Sequence, residues 1–479
     1  MEYTELADYP LPSGYVTEWV PTARDDSFAP DSRPLSTNHI SHLRCTSTEL
    51  TERGESSWIG TVFRIDAPLR HREFAQALRR WIDRHEVYRT TPEPAESEFE
   101  RRTLSTGHVE LNVRHHGIRK GSNEIFRHIE TFFGHTITPH SWPHLAAISI
   151  EPVHDASFYV VVGADHSVMD AFTQLLLITE LRELYAAVLE DRESNLPPCG
   201  SHIDHSAAER AAATELTPAH PATEAWRKFW FDARGRIREN AFPLPLSSAE
   251  TSAAGFQSSV SRWLLSADEC AQFAAACKQH GIGVSNGTLT ALAVALYRLS
   301  ESAELRFVMP MHTRTGPEFF TAAGWFVGLV PVQIDLGSSS DFIGALSAVN
   351  AGIRRNQPLV AHSYPQITEL LGVTTAPQFV VSFIDGRNLP GAADWTAEDR
   401  VLRSPVRNHD EVYIWVNRTT EGLNVSLRFP NNEIAAASLH ALISEFSVVL
   451  REVAATGTAA VSPSQSLHSE SATGVVENR

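Results

Sequence analysis

The sequence predicts an α/β protein with two lobes. Apolar runs typical of strands and amphipathic stretches with helical spacing alternate irregularly through both halves of the chain. A proline-containing stretch, Asn195-Leu196-Pro197-Pro198-Cys199-Gly200-Ser201, separates the halves and is typical of a linker. With 479 residues, 42% of them hydrophobic, the chain is long enough to bury two cores. We expect an N-terminal lobe at residues 1–190, a linker or crossover at 191–225, a C-terminal lobe at 226–455 and a disordered tail at 456–479.

The elements of the first half are predicted after residues 1–50, which we expect to be irregular with short strands because they are rich in Pro, Ser, Asp and Thr. Apolar patterns predict strands at residues 58–65, 109–113, 145–150 and 158–164. Helical spacing of apolar residues predicts helices at 69–85, 125–133 and 172–189.

The second half is predicted to repeat this mixture. Helices are expected at residues 223–232, 267–280, 286–299 and 435–454, the second opened by a capping box over residues 266–269. Strands are expected at 258–265, 305–311, 327–334, 379–384, 412–417 and 423–429.

Composition excludes several classes of protein. A formal net charge of −17 argues against general binding to nucleic acid or to anionic membranes. The four cysteines are scattered without a zinc-like spacing, which indicates a reducing compartment. The acidic N-terminus is unlike a signal peptide, and no apolar run approaches the roughly 18 residues of a membrane span. We therefore expect a cytoplasmic monomer without a transmembrane segment.

One short motif could carry chemistry: Asp165-His166-Ser167-Val168-Met169-Asp170, placed where a predicted strand gives way to a predicted helix. A turn of this kind can hold an imidazole rigidly with one nitrogen free, as a general base requires. A histidine with a purely structural role at a strand end is the alternative for His166, and Asp170 could simply cap the following helix. Spacing alone leaves both alternatives open.

Several segments, in order along the chain, resemble the condensation-domain superfamily. Residues 165–171, Asp-His-Ser-Val-Met-Asp-Ala, resemble its HHxxxDG motif, and residues 84–90, Arg-His-Glu-Val-Tyr-Arg-Thr, resemble its RHExLRT segment. Arg314 followed by residues 323–332 resembles its R…GxFVNxLPL segment, and residues 378–383 fit a strand of the family. The superfamily includes nonribosomal peptide synthetase condensation domains, chloramphenicol acetyltransferase and the polyketide-associated Pap-type acyltransferases of mycobacteria. The similarity covers residues 35–455 and is greatest to the Pap-type branch.

The resemblance implies a fold and a reaction. The fold would be the two-lobed, pseudo-dimeric fold of chloramphenicol acetyltransferase, V-shaped with the active site at the lobe junction. The activity would be a standalone acyltransferase of lipid, polyketide or nonribosomal peptide metabolism. It would transfer an acyl group from acyl-CoA or a phosphopantetheinyl carrier protein, as co-substrate, to a hydroxyl or amine of a small acceptor. No cofactor or metal is implied.

The resemblance also assigns residues. His166 would be the general base, and Asp170 would pair with Arg314 of the second lobe as a structural brace. Asp165 would support the site and could raise the pKa of His166 if close to it. The substrate tunnel would involve Ala171, Gly324, Trp325, Phe326 and Ser382. The sequence departs from the motif at two positions, where Asp165 replaces the first histidine and Ala171 replaces the final glycine.

Two other functions stay open. The altered motif is compatible with a catalytically silent module that only binds carrier proteins or recruits a partner. Residues 283–287, Gly-Val-Ser-Asn-Gly, match the G-x-S-x-G nucleophile elbow of serine hydrolases, with Ser285 as nucleophile. A helix is predicted before Ser285 where the elbow needs a strand, so an N-cap is the alternative role for this serine.

Two basic features also have competing interpretations. Arg70, Arg72, Arg79, Arg80, Arg84, Arg101 and Arg102 could form a docking patch for an acidic acyl carrier protein or the solvated face of a helix. His115 and His116 lack an aspartate at the motif distance, and we expect them to lie at a solvated strand end.

Overall fold

A computed structural model describes residues 2–53, 58–96, 98–247, 255–408 and 410–461. Their strands are β1 (Glu2–Glu5), β2 (Gly14–Thr22), β3 (Phe28–Asp31), β4 (Trp58–Ile65), β5 (Thr90–Pro94), β6 (Phe99–Leu104), β7 (Glu110–Arg119), β8 (Leu145–Pro152), β9 (Phe158–Asp165), β10 (Ser258–Ser266), β11 (Glu304–His312), β12 (Val327–Asp335), β13 (Phe379–Asp385), β14 (Arg400–Arg403), β15 (Val412–Thr419) and β16 (Gly422–Phe429).

The helices in the same part of the chain are α1 (Thr37–Arg53), α2 (His71–Arg84), α3 (Ser122–Thr136), α4 (Ala171–Leu189), α5 (His202–Ala213), α6 (Pro221–Trp230), α7 (Ala267–Gln279), α8 (Val284–Ser300), α9 (Phe342–Asn356), α10 (Tyr364–Leu371) and α11 (Glu433–Thr456). Short 3₁₀ turns connect several of them, including Glu86–Arg89 after α2 and His166–Val168 after β9.

The first lobe is built on a seven-stranded sheet in the order β1-β14-β4-β9-β8-β2-β7. Helices α2 and α4 pack on one face, where Phe74, Trp81 and Leu177 are among the fully buried side chains. Helix α3 covers the other face through Ile125, Ile129 and Phe133. Because β4 and β9 are covered on both faces, their sequences are almost continuously apolar.

The second lobe is built on a six-stranded sheet in the order β10-β16-β15-β13-β11-β12. Helices α7, α8, α9 and α11 share one apolar cluster with this sheet. On the other side, α6 and α10 form a smaller cluster in which Trp226 and Trp230 are fully buried. The sheet order and the two covered sheets confirm the predicted two-lobed α/β class.

One strand from the second half of the chain lies in the first sheet. Strand β14 inserts between β1 and β4, pairing antiparallel with β4 and parallel with β1. The Gln174 side chain of α4 donates to the carbonyls of Gly60 and Leu402, and Arg182 pairs with buried Asp399 at 2.7 Å. This exchange could not be predicted from the sequence, because a four-residue strand has no periodicity of its own. The proposed lobe boundaries stay predictions.

Most elements agree with the predictions to within a few residues, but residues 1–50 do not. The expectation of an irregular region with short strands is wrong there, since β2 is nine residues long and α1 begins at Thr37. Helices α5, α9 and α10 are also absent from the predictions. The predicted disordered tail lies outside the described residues from 462 onward, while residues 457–461 follow α11 and Ala460 bridges to Asp341.

Helix α11 is the one helix of the described residues long and apolar enough to cross a membrane by length and composition, with a mean hydropathy of 1.5 over its most apolar window. Core helices pass the same test, and α11 buries Leu439, Leu442 and Phe446 against the second lobe. Length and composition are therefore weak evidence for a membrane span here.

Candidate active site

The DHxxxDA motif forms the connection between β9 and α4. Asp165 is the last residue of β9, and its carboxylate accepts a hydrogen bond from the Ser167 main-chain N–H at 2.9 Å. Residues His166–Val168 form one 3₁₀ turn. Asp170 is the N-cap of α4 and accepts from the Thr173 N–H at 2.8 Å. Both aspartates therefore hold the backbone on either side of His166.

The His166 imidazole is half-buried and its Nε2 makes no hydrogen bond to any described residue. The buried Nδ1 likewise has no well-aligned partner, and the acceptor that acts on the ring is the main-chain carbonyl of His166 itself. The ring packs against the Trp325 indole of the second lobe, with centroids 4.4 Å apart. Burial lowers the pKa of His166, and the nearby His42 lowers it further. The imidazole is thus neutral at pH 7, with Nε2 free to accept a proton.

Asp170 is joined to Arg314 across the lobe junction. The guanidinium donates to both carboxylate oxygens, at 2.7 and 3.0 Å, and both side chains are almost completely buried. The Arg314 guanidinium lies between the rings of Phe172 and Phe326, 4.5 and 4.3 Å from their centroids. Burial alone would raise the pKa of Asp170, but the charge and hydrogen bonds of Arg314 lower it. Asp170 is therefore an ionised brace, turned toward the second lobe.

Thr173 and residues 322–326 complete this brace. The Thr173 hydroxyl donates to Asp170 at 2.8 Å and also lies 3.2 Å from both the N–H and the carbonyl of Gly324. The Phe326 N–H donates to Asp170 at 3.1 Å, and the Ala322 carbonyl accepts from Arg314 at 3.2 Å. The loop before β12 is consequently tied to the first turn of α4.

Asp165, which stands in the place of the family's first histidine, has a partner on α1. The His42 Nε2 lies 3.1 and 3.2 Å from the two Asp165 oxygens. Burial alone would lower the pKa of His42, but Asp165 raises it. The same pair holds the pKa of Asp165 well below its usual range, although burial opposes ionisation. Asp165 and His42 form a largely buried ion pair beside the turn that holds His166.

The remaining candidates for the tunnel are distributed unevenly. Ala171 is the first residue of α4 and Trp325 packs on His166, so both lie at the motif turn. Phe326 is fully buried against Arg314, and its predicted place in the tunnel stays a prediction. Ser382 lies on β13 opposite Trp415 of β15, and no hydrogen bond joins it to the motif within the described ranges.

The alternative site at Ser285 lacks its required context. Ser285 lies in the first turn of α8, and the preceding element is the helix α7. A nucleophile elbow needs a buried strand at that point. The expected N-cap role is also wrong, because Gly283 is the N-cap of α8. The structure therefore does not favour the hydrolase hypothesis.

The predicted basic patch is divided by the fold. Arg101 is buried and donates to the carbonyls of Arg33 and Pro34. Arg84 pairs with Glu180 at 2.9 Å, whereas Arg70, Arg72 and Arg79 are exposed. A continuous patch made of all seven arginines is therefore wrong, and the exposed arginines on and just before α2 are what a carrier protein could contact.

Two residues that matter to the site, His42 and Thr173, were not predicted, and a third, His85, was recognised only as part of a family segment. His42 was not predicted because helix α1 was not predicted. The signals available were the helical spacing of Ile40 and Leu43 and the capping residue Ser36, whose hydroxyl accepts from the His39 N–H. Thr173 carries no motif signal. His85 lies within the RHExLRT-like segment; it bonds Glu180 at 2.6 Å, and the second-lobe Ala323 N–H donates to its Nδ1 at 3.3 Å.

Comparison with known proteins agrees with this architecture. The sequence profile of the condensation domain matches residues 44–474. Acyltransferase PapA3 of Mycobacterium tuberculosis is 26% identical over 386 residues, covering 78% of this chain and 79% of that protein. Trehalose-2-sulfate acyltransferase PapA2 of Mycobacterium bovis is 26% identical over 477 residues, covering 96% of this chain and 98% of that protein.

Solved structures share the fold over nearly the whole chain. A PapA2 acyl transferase superimposes with a TM-score of 0.83 at 23% identity, covering 95% of this chain and 100% of that one. The condensation domain of the monacolin K polyketide synthase MokA has a TM-score of 0.70 at 14% identity, covering 94% and 99%. The chain thus belongs to the condensation-domain family and is an acyltransferase, similar to the Pap-type acyltransferases of mycobacteria.

Proposed function

We propose that this protein transfers an acyl group from an acyl thioester to a hydroxyl of a small acceptor, with His166 as general base. The observation that carries the proposal is the His166 ring itself. It has a pKa lowered chiefly by burial, a free Nε2 and a fixed position against Trp325 of the other lobe. A base of this kind contributes roughly 10²–10⁴-fold to the rate.

The reaction needs one proton to move twice. Nε2 removes the proton of the acceptor hydroxyl while its oxygen attacks the thioester carbonyl, forming a tetrahedral intermediate. The carbon–sulfur bond then breaks, and the thiol leaves with the proton returned by the imidazolium. An amine acceptor would give an amide by the same steps. Neither a metal nor a covalent bond to the enzyme takes part.

Asp170 and Arg314 act as positioning residues in this proposal. Their bidentate pair spans the lobe junction and fixes the start of α4, which follows the catalytic turn. Asp165 holds the N-terminal side of the turn by accepting from the Ser167 N–H and pairing with His42. Because Asp165 is already engaged, its replacement of the motif histidine is compatible with catalysis.

The class of substrates follows from the relatives. PapA2 is named for transfer to trehalose-2-sulfate. We therefore propose a sugar or lipid hydroxyl as acceptor, with polyketide and peptide hydroxyls as the wider class. The donor is acyl-CoA or an acyl carrier protein, for which exposed Arg70, Arg72 and Arg79 offer positive charge.

The decisive experiment compares wild type, His166→Ala and Ser285→Ala with a panel of acyl-CoA donors and sugar or lipid alcohols. Product ester is detected by mass spectrometry. We expect His166→Ala to lose ester formation by about 10²-fold or more, because no other group replaces the base. Ser285→Ala should retain wild-type rates, because Ser285 lies in α8 outside the site.

Each contrary outcome identifies another function. Loss of turnover in Ser285→Ala with retention in His166→Ala would favour a hydrolase-type nucleophile. A wild-type protein that binds carrier protein but turns over no acyl-CoA or carrier-bound donor would indicate the silent module. Circular dichroism of both variants establishes that they are folded.

A further inference from the structure

Three potential metal ligands converge on the first lobe away from the catalytic turn. Glu18 of β2 lies with one carboxylate oxygen 3.0 Å from the His116 Nε2 of β7 and the other 3.1 Å from the His128 Nε2 of α3. The two imidazole rings are 4.6 Å apart and inclined at 65°. All three ligand atoms lie within 4.8 Å of one another.

These short contacts lack the alignment of good hydrogen bonds. Neither His116 Nε2 nor His128 Nε2 makes a well-aligned hydrogen bond to any described residue, although each is within ordinary range of a carboxylate oxygen. The nitrogen–oxygen distances suit hydrogen bonds, but the ring nitrogens do not point at the oxygens. The His42–Asp165 pair differs, because there the ring nitrogen does form the bond at 3.1 Å. Three ligand atoms within 4.8 Å of one another, two of them ring nitrogens without a well-aligned partner among the described residues, form an arrangement that a shared cation can occupy.

A bulge in β7 presents His116 to this point. Tyr15 pairs with Ile118 and Thr17 with His115, so His116 and Gly117 together face Val16 alone. Gly117 has a φ of 68°, which glycine adopts without strain. Bulges of this kind re-aim a side chain. The expectation that His116 is a solvated strand end is therefore wrong, as the ring is only 27% exposed.

Burial and charge also suit a cation. The Glu18 side chain is 6% exposed and His128 17% exposed, so a lone carboxylate here would be costly without a positive partner. A divalent ion bound by the three side chains would supply that positive charge, since the neighbouring cation Arg119 is already paired with Glu124 at 3.4 Å.

We propose that Glu18, His116 and His128 bind a divalent transition-metal ion of the zinc type. Two imidazoles and one carboxylate are a ligand set typical of Zn²⁺, with a fourth position for water, whereas Mg²⁺ and Ca²⁺ prefer oxygen ligands. The site uses no cysteine, so the scattered cysteines do not bear on it.

The site is separate from the proposed catalysis. Glu18 of β2 pairs with Ile148 of β8, which in turn pairs with Val161 of β9. Val161 precedes His166 by five residues. At about 3.3 Å per residue, this places it roughly 16 Å along the strand direction from the catalytic turn. The ion would tie the edge strand β7 and helix α3 to β2, stabilising this side of the sheet.

The test is zinc binding by the full chain after treatment with a chelator. Calorimetric titration with ZnCl₂ and elemental analysis give affinity and stoichiometry, and Co²⁺ gives an absorption spectrum that reports coordination. We expect one ion per chain and a rise in melting temperature with Zn²⁺ but not with Mg²⁺. His116→Ala, His128→Ala and Glu18→Gln should each weaken binding by about tenfold or more.

Matched controls are needed because the chain has 22 histidines. His135 lies exposed on the same helix as His128, and His115 contacts Thr17 and His71 rather than the cluster. His135→Ala and His115→Ala should bind zinc as wild type does. The proposal is overturned if the wild type binds no stoichiometric zinc, or if the ligand variants remain folded and bind it unchanged. Should the variants unfold, absence of any zinc-induced rise in the wild-type melting temperature overturns it equally.

Discussion

At the scale of single residues, the motif position that departs from its family is compensated by a residue distant in sequence. Asp165 replaces the first histidine of the motif, and His42 of α1 supplies a histidine side chain beside it. The pair has opposite pKa shifts, with Asp165 lowered and His42 raised, each against the effect of burial. Both shifts make the charged pair a stabilising interaction within a limited range of pH.

The pH dependence of this pair is a testable consequence. Asp165 has a lowered pKa, so its contribution is present above about pH 3.9 and is lost as the pH falls through the folded pKa. His42 has a raised pKa, so its contribution is complete below about pH 6.5 and is lost as the pH rises through the folded pKa. We expect Asp165→Asn to lower the free energy of unfolding by on the order of 3 kcal/mol near pH 5.5, and by less at pH 8.

Urea unfolding of wild type, Asp165→Asn, His42→Ala and the double variant at both pH values measures this coupling. A coupling energy that is the same at pH 5.5 and pH 8 would show that the pair is not ionised as described.

At the scale of elements, the start of α4 is held by a loop from the other lobe. Gly324 makes this possible, since its backbone approaches both Thr173 and His202 and its φ is 149°. A Cβ added there would lie 2.4 Å from the His202 ring, which has no room to move because His202 is buried. The glycine is therefore required both by conformation and by packing.

Gly324→Ala should lower the free energy of unfolding by about 2–4 kcal/mol, combining backbone strain with a steric clash. Gly107→Ala is the matched control, because Gly107 also has a positive φ of 79° but nothing lies within 4 Å of its added Cβ. That variant should lose only about 1–2 kcal/mol. Thermal melting curves of both variants measure these losses of stability. Equal losses would mean that the clash with His202 does not contribute to the destabilisation.

At the scale of the whole molecule, buried polar contacts join the two lobes. Arg314 of the second lobe reaches Asp170, and β14 completes the first sheet. Arg403 of β14 also lies over the Trp415 ring of β15, 3.0 Å from its centroid. The turn that holds His166 therefore depends on Arg314, which lies 144 positions from Asp170 in the sequence.

Arg314→Ala should leave the buried Asp170 carboxylate unpaired and lower the free energy of unfolding by about 3–5 kcal/mol. Acyl transfer should fall with it, because the turn that holds His166 loses its brace. Arg24→Ala is the control: Arg24 makes an ion pair of the same type with Asp26, but both side chains are exposed. Wild-type urea midpoints for Arg314→Ala would contradict the role of the pair.

The sequence by itself determined much of this protein. Strands such as Trp58–Ile65 and helices such as Ala267–Gln279 follow from apolar periodicity and capping, which are local. The motif around His166, with Arg314 and residues 323–332, was sufficient to indicate the family, because each of these two segments is local in the sequence. The seven-arginine patch failed for the opposite reason, since exposure is not a local property of sequence.

Only the tertiary structure decided which distant residues meet. His42 reaches Asp165 across 123 positions, and Glu18 meets His116 and His128 through a bulge and a helix that no spacing rule connects. Strand β14 is too short to be recognised before its neighbours are known. Long-range contacts are selected by burial and by the pairing of charges within a packed fold, and a linear pattern carries no record of either.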